Sequence, residues 1–158
     1  MCTVHAYTAT QRLVDAPDKK DVRRGRAAAV NIVPTTTGAA KALGEVIPEV
    51  KGKMDGFALR VPIADGSIVY LVAEVEKEVD VKKINWLFKE VSNNHLKDVL
   101  EYTEEPIVST DIIHNPHSCI IDSNNTNVID KTMISLCGWY DNEWGYSCRM
   151  IDVLKMLL

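Results

Sequence analysis

Long apolar runs are absent from this sequence. Its uninterrupted apolar stretches are much shorter than the roughly 20 residues of a transmembrane helix, so we expect no membrane span. The first residues show neither the basic nor the apolar segment of a signal peptide, so we expect no secretory leader. C-x-x-C spacing is also absent, and the four cysteines are therefore predicted to be free thiols in a reducing, cytoplasmic environment.

Excess positive charge is likewise missing. The 18 Lys and Arg residues are outnumbered by 22 Asp and Glu residues, and a formal net charge of -4 gives no reason to expect a nucleic-acid partner. Residues 19–26 do include five basic residues among eight, and we interpret this segment as a solvated or interface loop. No Gly-x-Gly-x-x-Gly motif occurs, so the sequence predicts no dinucleotide-binding fold.

The sequence does have the composition of one globular domain. Its 158 residues, 46% of them hydrophobic and 25% charged, are enough to bury a core. Strand-like segments outnumber helical ones, which predicts an α+β fold with a mixed, mostly antiparallel sheet of about seven or eight strands and helices on one face. We predict strands at 2–11, 57–63, 67–75, 107–112, 119–122, 128–129 and 132–137, and helices from 39 to about 47, at 81–93 and after 143.

The opening strand carries the first candidate for chemistry. Its apolar and polar residues alternate, and His5 is the only side chain there that titrates near neutral pH. His5 is therefore a candidate general base. The alternative is a histidine whose ring nitrogens are simply hydrogen-bonded inside a core, and for an isolated imidazole this alternative is the more common case.

Two further positions suggest anion binding. The threonines before Ala39 predict a helix N-terminus, where free N–H groups attract anions, although a simple helix cap explains them equally well. Arg60 is unusual in an apolar strand and is either exposed or held for a phosphate, because burying an unpaired guanidinium is unfavourable. His114 and His117 have no carboxylate or thiol cluster beside them in the sequence, so we predict no metal site.

Four short motifs occur in order along the chain. They are Val4-His5-Ala6-Tyr7-Thr8 with Gln11-Arg12, Pro34-Thr35-Thr36-Thr37-Gly38-Ala39-Ala40-Lys41, Arg60-Val61-Pro62, and Trp139-Tyr140-Asp141-Asn142-Glu143. In this order and spacing they resemble the phosphorylating, NAD-dependent glyceraldehyde-3-phosphate dehydrogenase family. The resemblance extends over essentially the whole chain, which is similar to roughly the C-terminal half of such an enzyme.

The resemblance implies a reaction and a set of site residues. Members of the family convert glyceraldehyde 3-phosphate, NAD and inorganic phosphate to 1,3-bisphosphoglycerate through a cysteine thioester, and act as cytoplasmic homotetramers. Erythrose-4-phosphate dehydrogenase is a close enzymatic alternative. The residues that match the family's catalytic, phosphate-binding and cofactor-binding positions are, respectively, His5; Thr8, Thr37, Gly38 and Arg60; and Asn142.

The matched positions imply distinct roles. His5 would pair with the thiolate and take a proton, Thr8 and Arg60 would bind the C3 phosphate, and Thr37 with Gly38 would bind the attacking phosphate. Asn142 would hydrogen-bond the nicotinamide carboxamide, although a plain helix N-cap also explains it.

Two parts of the implied enzyme are not in this sequence. The family's nucleophilic cysteine lies upstream of the first motif, and the NAD-binding domain is missing; Cys2 is not assigned as a substitute. We therefore expect residues 1–138 to be a catalytic domain without its nucleophile, and residues 139–158 to be a helix that packs on the absent NAD-binding domain. On this reading the chain alone is inactive, and is a fragment, a split gene product or a remnant. The alternative is a non-catalytic binding or assembly module.

Overall fold

The computed structural model describes all 158 residues, which form two compact units, residues 1–64 and residues 65–158. The first unit contains strands β1 (Cys2–Ala6), β2 (Val33–Thr36) and β3 (Phe57–Val61) and helix α1 (Ala39–Val46). Its strands are ordered β2-β3-β1, with β1 parallel to β3 and β2 antiparallel to it. The residue directly before β3 is Gly56, where a side chain has no room because a Cβ would lie 2.4 Å from the carbonyl oxygen of Met1.

The long connection between β1 and β2 contains two 3-10 helices, Val22–Gly25 and Ala28–Val30, and aspartate side chains also hold its backbone. Asp18 accepts hydrogen bonds from the amides of Lys20 and Asp21, at 2.8 and 3.0 Å. Asp15 accepts from the amide of Ala27 at 2.8 Å. Aspartate carboxylates therefore fix part of the backbone of the segment that carries the five basic residues.

The second unit contains strands β4 (Ser67–Glu74), β5 (Leu100–Thr103), β6 (Cys119–Asp122), β7 (Asn127–Ile129) and β8 (Met133–Tyr140). It also contains helices α2 (Val81–Asn93) and α3 (Trp144–Leu157). The strand order is β4-β8-β6-β5, and β7 pairs with β8. Only β5 and β6 are parallel; the other described pairs in this unit are antiparallel. No helix has both the length and the apolar character that crossing a bilayer requires.

The core of the second unit lies between the sheet and α2. Ile84 of α2 packs with Ile134 and Leu136 of β8, and partly buried apolar residues, including Leu71 and Phe88, surround them. Asp80 caps α2 by accepting a hydrogen bond from the amide of Lys83 at 2.7 Å. The predicted α+β fold, with eight mixed and mostly antiparallel strands, is confirmed.

Four details of the predicted elements were wrong. The opening strand, predicted at 2–11, ends at Ala6, because the chain then turns and the amide of Gln11 donates to the carbonyl of Thr8 at 2.9 Å. The strand predicted at 107–112 is a single 3-10 turn, Ser109–Ile112, because the Asp111 carboxylate accepts from the amide of Val108 at 2.7 Å. Residues 33–36 form strand β2, where the threonines had suggested only a helix entry. Strand β5, Leu100–Thr103, was not predicted.

Candidate functional site

The register of β1 and β3 brings an imidazole and a guanidinium together. His5 and Arg60 are paired residues on neighbouring parallel strands, and both side chains are partly buried. Nη1 of Arg60 is in hydrogen-bond contact with Nδ1 of His5 and donates to the carbonyl oxygen of Ala6 at 3.2 Å. The same carbonyl lies 2.7 Å from His5 Nδ1. Arg60 is thus neither exposed nor buried alone, and one carbonyl oxygen serves both side chains.

These contacts constrain where the imidazole carries its proton. A guanidinium has no lone pair, so Arg60 can donate only to an Nδ1 that is unprotonated, which leaves the proton on Nε2. If Nδ1 carries the proton instead, it donates to Ala6, and Arg60 loses its acceptor on the imidazole and, of these two contacts, keeps only its hydrogen bond to the same carbonyl. The position of Arg60 is therefore coupled to the tautomer of His5.

Thr8 lies in a tight turn directly after β1. Its amide donates to Oε1 of Gln11 at 3.2 Å, and its carbonyl accepts from the amide of Gln11 at 2.9 Å. Its hydroxyl is 2.9 Å from the hydroxyl of Thr10. The turn lines a cavity of about 210 Å³, whose walls are formed by Tyr7, Thr8, Ala9, Gln11, Arg12, Leu13, Ala28 and Ala29.

Thr37 and Gly38 stand at the entry to α1. Thr37 Oγ1 accepts from the amide of Ala39 at 3.2 Å, and Gly38 is the N-cap residue without a side-chain cap. In the register, Thr36 faces Phe57 and Val33 faces Arg60. Thr37 is thus about four residues from Arg60 along the strand direction, roughly 13 Å. No described contact joins Thr37, Gly38 or Thr8 to Arg60, and their convergence on one pocket stays a prediction.

Asn142 belongs to the second unit and is not the cap of α3. Its Oδ1 accepts from the buried Ser67 hydroxyl at 2.7 Å. The capping is done by Asp141, which accepts from the amides of Glu143 at 2.9 Å and Trp144 at 2.7 Å. Because Ser67 fixes the amide oxygen, the Nδ2 end of Asn142 is oriented as a donor, which fits a carboxamide ligand.

The carboxylate of Asp141 has a second carboxyl group as its neighbour. Burial raises the pKa of Asp65, and the Asp141 charge raises it further despite an opposing hydrogen bond from Gly66. For Asp141 itself, burial raises the pKa but the backbone donors at Trp144, His114 and Glu143 outweigh it, so the pKa is lowered. A protonated Asp65 can thus donate to an ionised Asp141.

Three of the four cysteines lack features expected of a nucleophile that would serve His5. Cys2 precedes His5 by three residues in the same strand, so the two side chains point to opposite faces. Burial raises the pKa of Cys119 to about 11, and burial followed by the Asp122 charge raises the pKa of Cys137. These thiols remain protonated near neutral pH.

The two histidines near Pro116 do not act as a pair. His114 lies against Trp144, with ring centroids 5.0 Å apart. Nδ1 of His117 is 2.8 Å from Asn115 Oδ1 and 3.0 Å from the carboxylate of Glu101, a neighbour that sequence reasoning missed. Thr10 and Ser67, which contact candidate site residues, were also not singled out, and Gln11 was noted only as part of a motif without a role, because their contacts depend on the fold.

Comparison of the sequence with known proteins identifies a family. A family model described as "Glyceraldehyde 3-phosphate dehydrogenase, C-terminal domain" matches residues 1–142. A "Glyceraldehyde-3-phosphate dehydrogenase 2" of Streptomyces avermitilis is 54% identical over 153 residues, which cover 97% of this chain and 45% of that protein.

Mycobacterial relatives give the same result. The proteins named "Glyceraldehyde-3-phosphate dehydrogenase" from Mycobacterium avium and Mycobacterium leprae are 54% and 53% identical over 157 residues, which cover 99% of this chain and 46% of each relative. The chain therefore spans slightly less than half the length of the relatives it matches. With most of its length matched by the family model, the chain belongs to the glyceraldehyde 3-phosphate dehydrogenase C-terminal domain family.

Proposed function

We propose that the chain supplies the base and the phosphate-binding side chains of an NAD-dependent, phosphorylating glyceraldehyde-3-phosphate dehydrogenase. The observation that carries the proposal is the contact between His5 and Arg60. It puts a candidate proton acceptor beside a permanently charged guanidinium that is suited to bind a phosphate group. NAD, when bound, would accept the hydride of the substrate aldehyde. Asn142 is the one residue of this chain that we propose for the nicotinamide carboxamide.

The shared carbonyl of Ala6 supports a role for substrate in preparing the base. While Arg60 donates to Nδ1 of His5, the proton is on Nε2, and Nε2 cannot accept another. A phosphate that draws Arg60 away, with the Thr8 hydroxyl as second donor, frees the lone pair of Nδ1. Nδ1 then takes up a proton from solvent while Nε2 releases its own, and the new Nδ1–H donates to Ala6 at the 2.7 Å distance. Nε2 then has a lone pair and can take a proton as general base.

The attacking phosphate would bind at the entry to α1. Free amides at a helix N-terminus and the hydroxyl of Thr37 are suitable donors for an anion, and Gly38 leaves open space where a side chain would stand. The cytoplasmic homotetramer is part of the same proposal. So is a docking role for residues 139–158, in which the helix itself is α3, because Trp139 and Tyr140 still belong to β8.

A second function is favoured by α3. Its residues Tyr146, Met150, Val153, Leu154 and Leu157 are between 56% and 78% exposed, although the helix is amphipathic. Such a surface is suited to packing against another chain or domain. We therefore propose that α3 docks on a nucleotide-binding partner, so that the chain acts as an assembly module if it has lost catalysis.

A chimera tests the enzymatic proposal. The part of the Mycobacterium avium relative that this chain does not cover would be joined to the chain, and NADH formation measured with glyceraldehyde 3-phosphate and phosphate. We expect turnover that requires phosphate, and a lower kcat/KM with erythrose 4-phosphate. A folded chimera that binds NAD but does not oxidise either aldehyde would support the assembly module and overturn the enzymatic proposal.

A further inference from the structure

Gln11 makes two hydrogen bonds to the backbone of Thr8 in the turn after β1. Its side-chain oxygen accepts from the amide of Thr8 at 3.2 Å, and its own amide donates to the carbonyl of Thr8 at 2.9 Å. We propose that Gln11 is a positioning residue, which holds Thr8 so that the threonine hydroxyl can bind a phosphate ester. The inference rests on the proposed function, because that function gives Thr8 its ligand.

The chemistry of the turn fixes the direction of the Gln11 amide. The group that faces Gln11 from Thr8 is an N–H donor, so only the amide oxygen of Gln11 can face it. A flipped amide would place two donors against each other. Oε1 is thus committed to the backbone of Thr8, and the Thr8 amide is committed to Gln11. The hydroxyl of Thr8 lies 2.9 Å from that of Thr10, and it can donate to a ligand when it accepts from Thr10.

The other end of the Gln11 amide argues against a role in stability. Nε2 is buried and has no hydrogen-bond partner within the chain. A buried donor without a partner is unfavourable for folding, and such groups in proteins call for an explanation. An apolar side chain of the same length would remove this unfavourable group. We therefore attribute the glutamine at this position to the conformation of the Thr8 turn rather than to stability.

The ligand class follows from what surrounds the turn. Thr8 and Gln11 line the same cavity of about 210 Å³, whose other walls include Tyr7 and Arg12. A hydroxyl donor in a cavity of this size with a cationic side chain suits a small phosphate monoester. Gln11 would affect the affinity for that monoester without touching it.

The test compares two substitutions in the full chain, with glycerol 3-phosphate as the probe. Gln11→Met removes both the acceptor and the unpaired donor, whereas Gln11→Glu keeps an acceptor for the Thr8 amide. Amide hydrogen exchange at Thr8, the dissociation constant from NMR titration and the melting temperature are measured for each. An Arg60→Ala variant reports whether binding occurs at the proposed phosphate site.

We expect Gln11→Met to speed exchange at Thr8 by tenfold or more and to weaken binding by about three- to tenfold, the effect of one lost hydrogen bond. Its melting temperature should be unchanged or higher. Gln11→Glu should retain slow exchange at Thr8, because it keeps an acceptor for the Thr8 amide. If both variants keep the same melting temperature, a merely structural role for Gln11 predicts no difference in Thr8 exchange between them.

Different failures point to different errors. If the unmodified chain binds glycerol 3-phosphate and Arg60→Ala abolishes binding, but Gln11→Met binds equally well, the role of Gln11 is overturned and the proposed function stands. A melting temperature lowered in Gln11→Met together with unchanged affinity would show a structural role and also overturn it. If the unmodified chain shows no binding at Thr8 and Arg60, both proposals fail.

Discussion

At the scale of single residues, replacing Arg60 with lysine tests whether phosphate binding needs only the positive charge or also the planar guanidinium group. The guanidinium of Arg60 donates to Ala6 and contacts His5 from one atom, which an ammonium group cannot reproduce with the same planar geometry. We expect Arg60→Lys in the chimera to raise the KM for glyceraldehyde 3-phosphate by ten- to a hundredfold, with a smaller change in kcat. Steady-state kinetics measure this, and an unchanged KM would exclude Arg60 from phosphate binding.

The carboxyl pair Asp65 and Asp141 predicts a specific pH dependence of stability. The raised pKa of Asp65 means that its contribution is fully present below its ordinary value of 3.8 and is lost as pH rises through the raised pKa. The lowered pKa of Asp141 has the opposite sign, because its contribution is present above 3.8 and is lost as pH falls through the lowered pKa.

Asp65→Asn tests this pair. The amide can donate to Asp141 at any pH and can still accept from Gly66, as Asp65 does at 2.8 Å. We expect the variant to be more stable than the unmodified chain at pH 7 by roughly 0.5–1.5 kcal/mol, with the difference disappearing in acid. Urea unfolding across this pH range measures the difference. Equal stability at pH 7 would contradict a raised pKa of Asp65 in the folded state.

At the scale of elements, α2 begins at an aspartate cap that can be tested alone. Asp80 is exposed, and its carboxylate holds the amide of Lys83 at 2.7 Å. Asp80→Ala should lower the free energy of unfolding by about 1 kcal/mol, whereas Asp80→Asn, which keeps an acceptor, should lower it less. Urea unfolding followed by circular dichroism measures both. An Asn variant as destabilised as the Ala variant would argue that the cap does not stabilise α2.

Helix α3 gives the second prediction at this scale. Replacing Met150, Leu154 and Leu157 with glutamine keeps good helix formers but removes exposed apolar side chains. We expect the unmodified chain to self-associate, and the triple variant to sediment closer to a monomer with the same helix content. Lys155→Gln on the same helix is the matched control and should not alter association. If the triple variant and the control sediment alike, the apolar surface of α3 is not the cause.

Sequence reasoning succeeded for the elements that have strong local signals. The cap and apolar stripe of α2 identified that helix, a mostly apolar run identified β3, and a run rich in β-branched residues identified β4. Strand β2 was missed because Pro34 and three threonines are typical of turns. Pro34 is tolerated because β2 is the edge strand of its unit's sheet, where a missing donor can face solvent.

The candidate site shows the same limit. His5 and Arg60 could each be singled out, but their contact depends on a parallel register between residues 55 positions apart, which no local pattern determines. The roles of Gln11, Ser67 and Glu101 depend on side-chain contacts of the same kind. Conversely, Asn142 was a possible N-cap in the sequence, and only the hydrogen bonds of Asp141 identify the true capping residue.

At the scale of the whole molecule, the chain has a candidate base, His5, but no cysteine that we assign as its nucleophile. Cys2 points away from His5, and the thiols of Cys119 and Cys137 have raised pKa values. We therefore expect no NAD-dependent aldehyde oxidation from the chain alone, as measured by NADH formation at high protein concentration. Turnover by the chain alone that is abolished in Cys2→Ser would show that Cys2 reaches the site.

The most direct test of the central claim is the effect of His5→Asn on kcat in the chimera. Asparagine retains polar atoms and similar size near Ala6 but cannot accept a proton at neutral pH. Loss of a general base predicts that kcat falls by about 10²- to 10⁴-fold, while NAD affinity and melting temperature stay the same. A kcat within a few-fold of the unmodified chimera would show that His5 is only a hydrogen-bonded strand histidine.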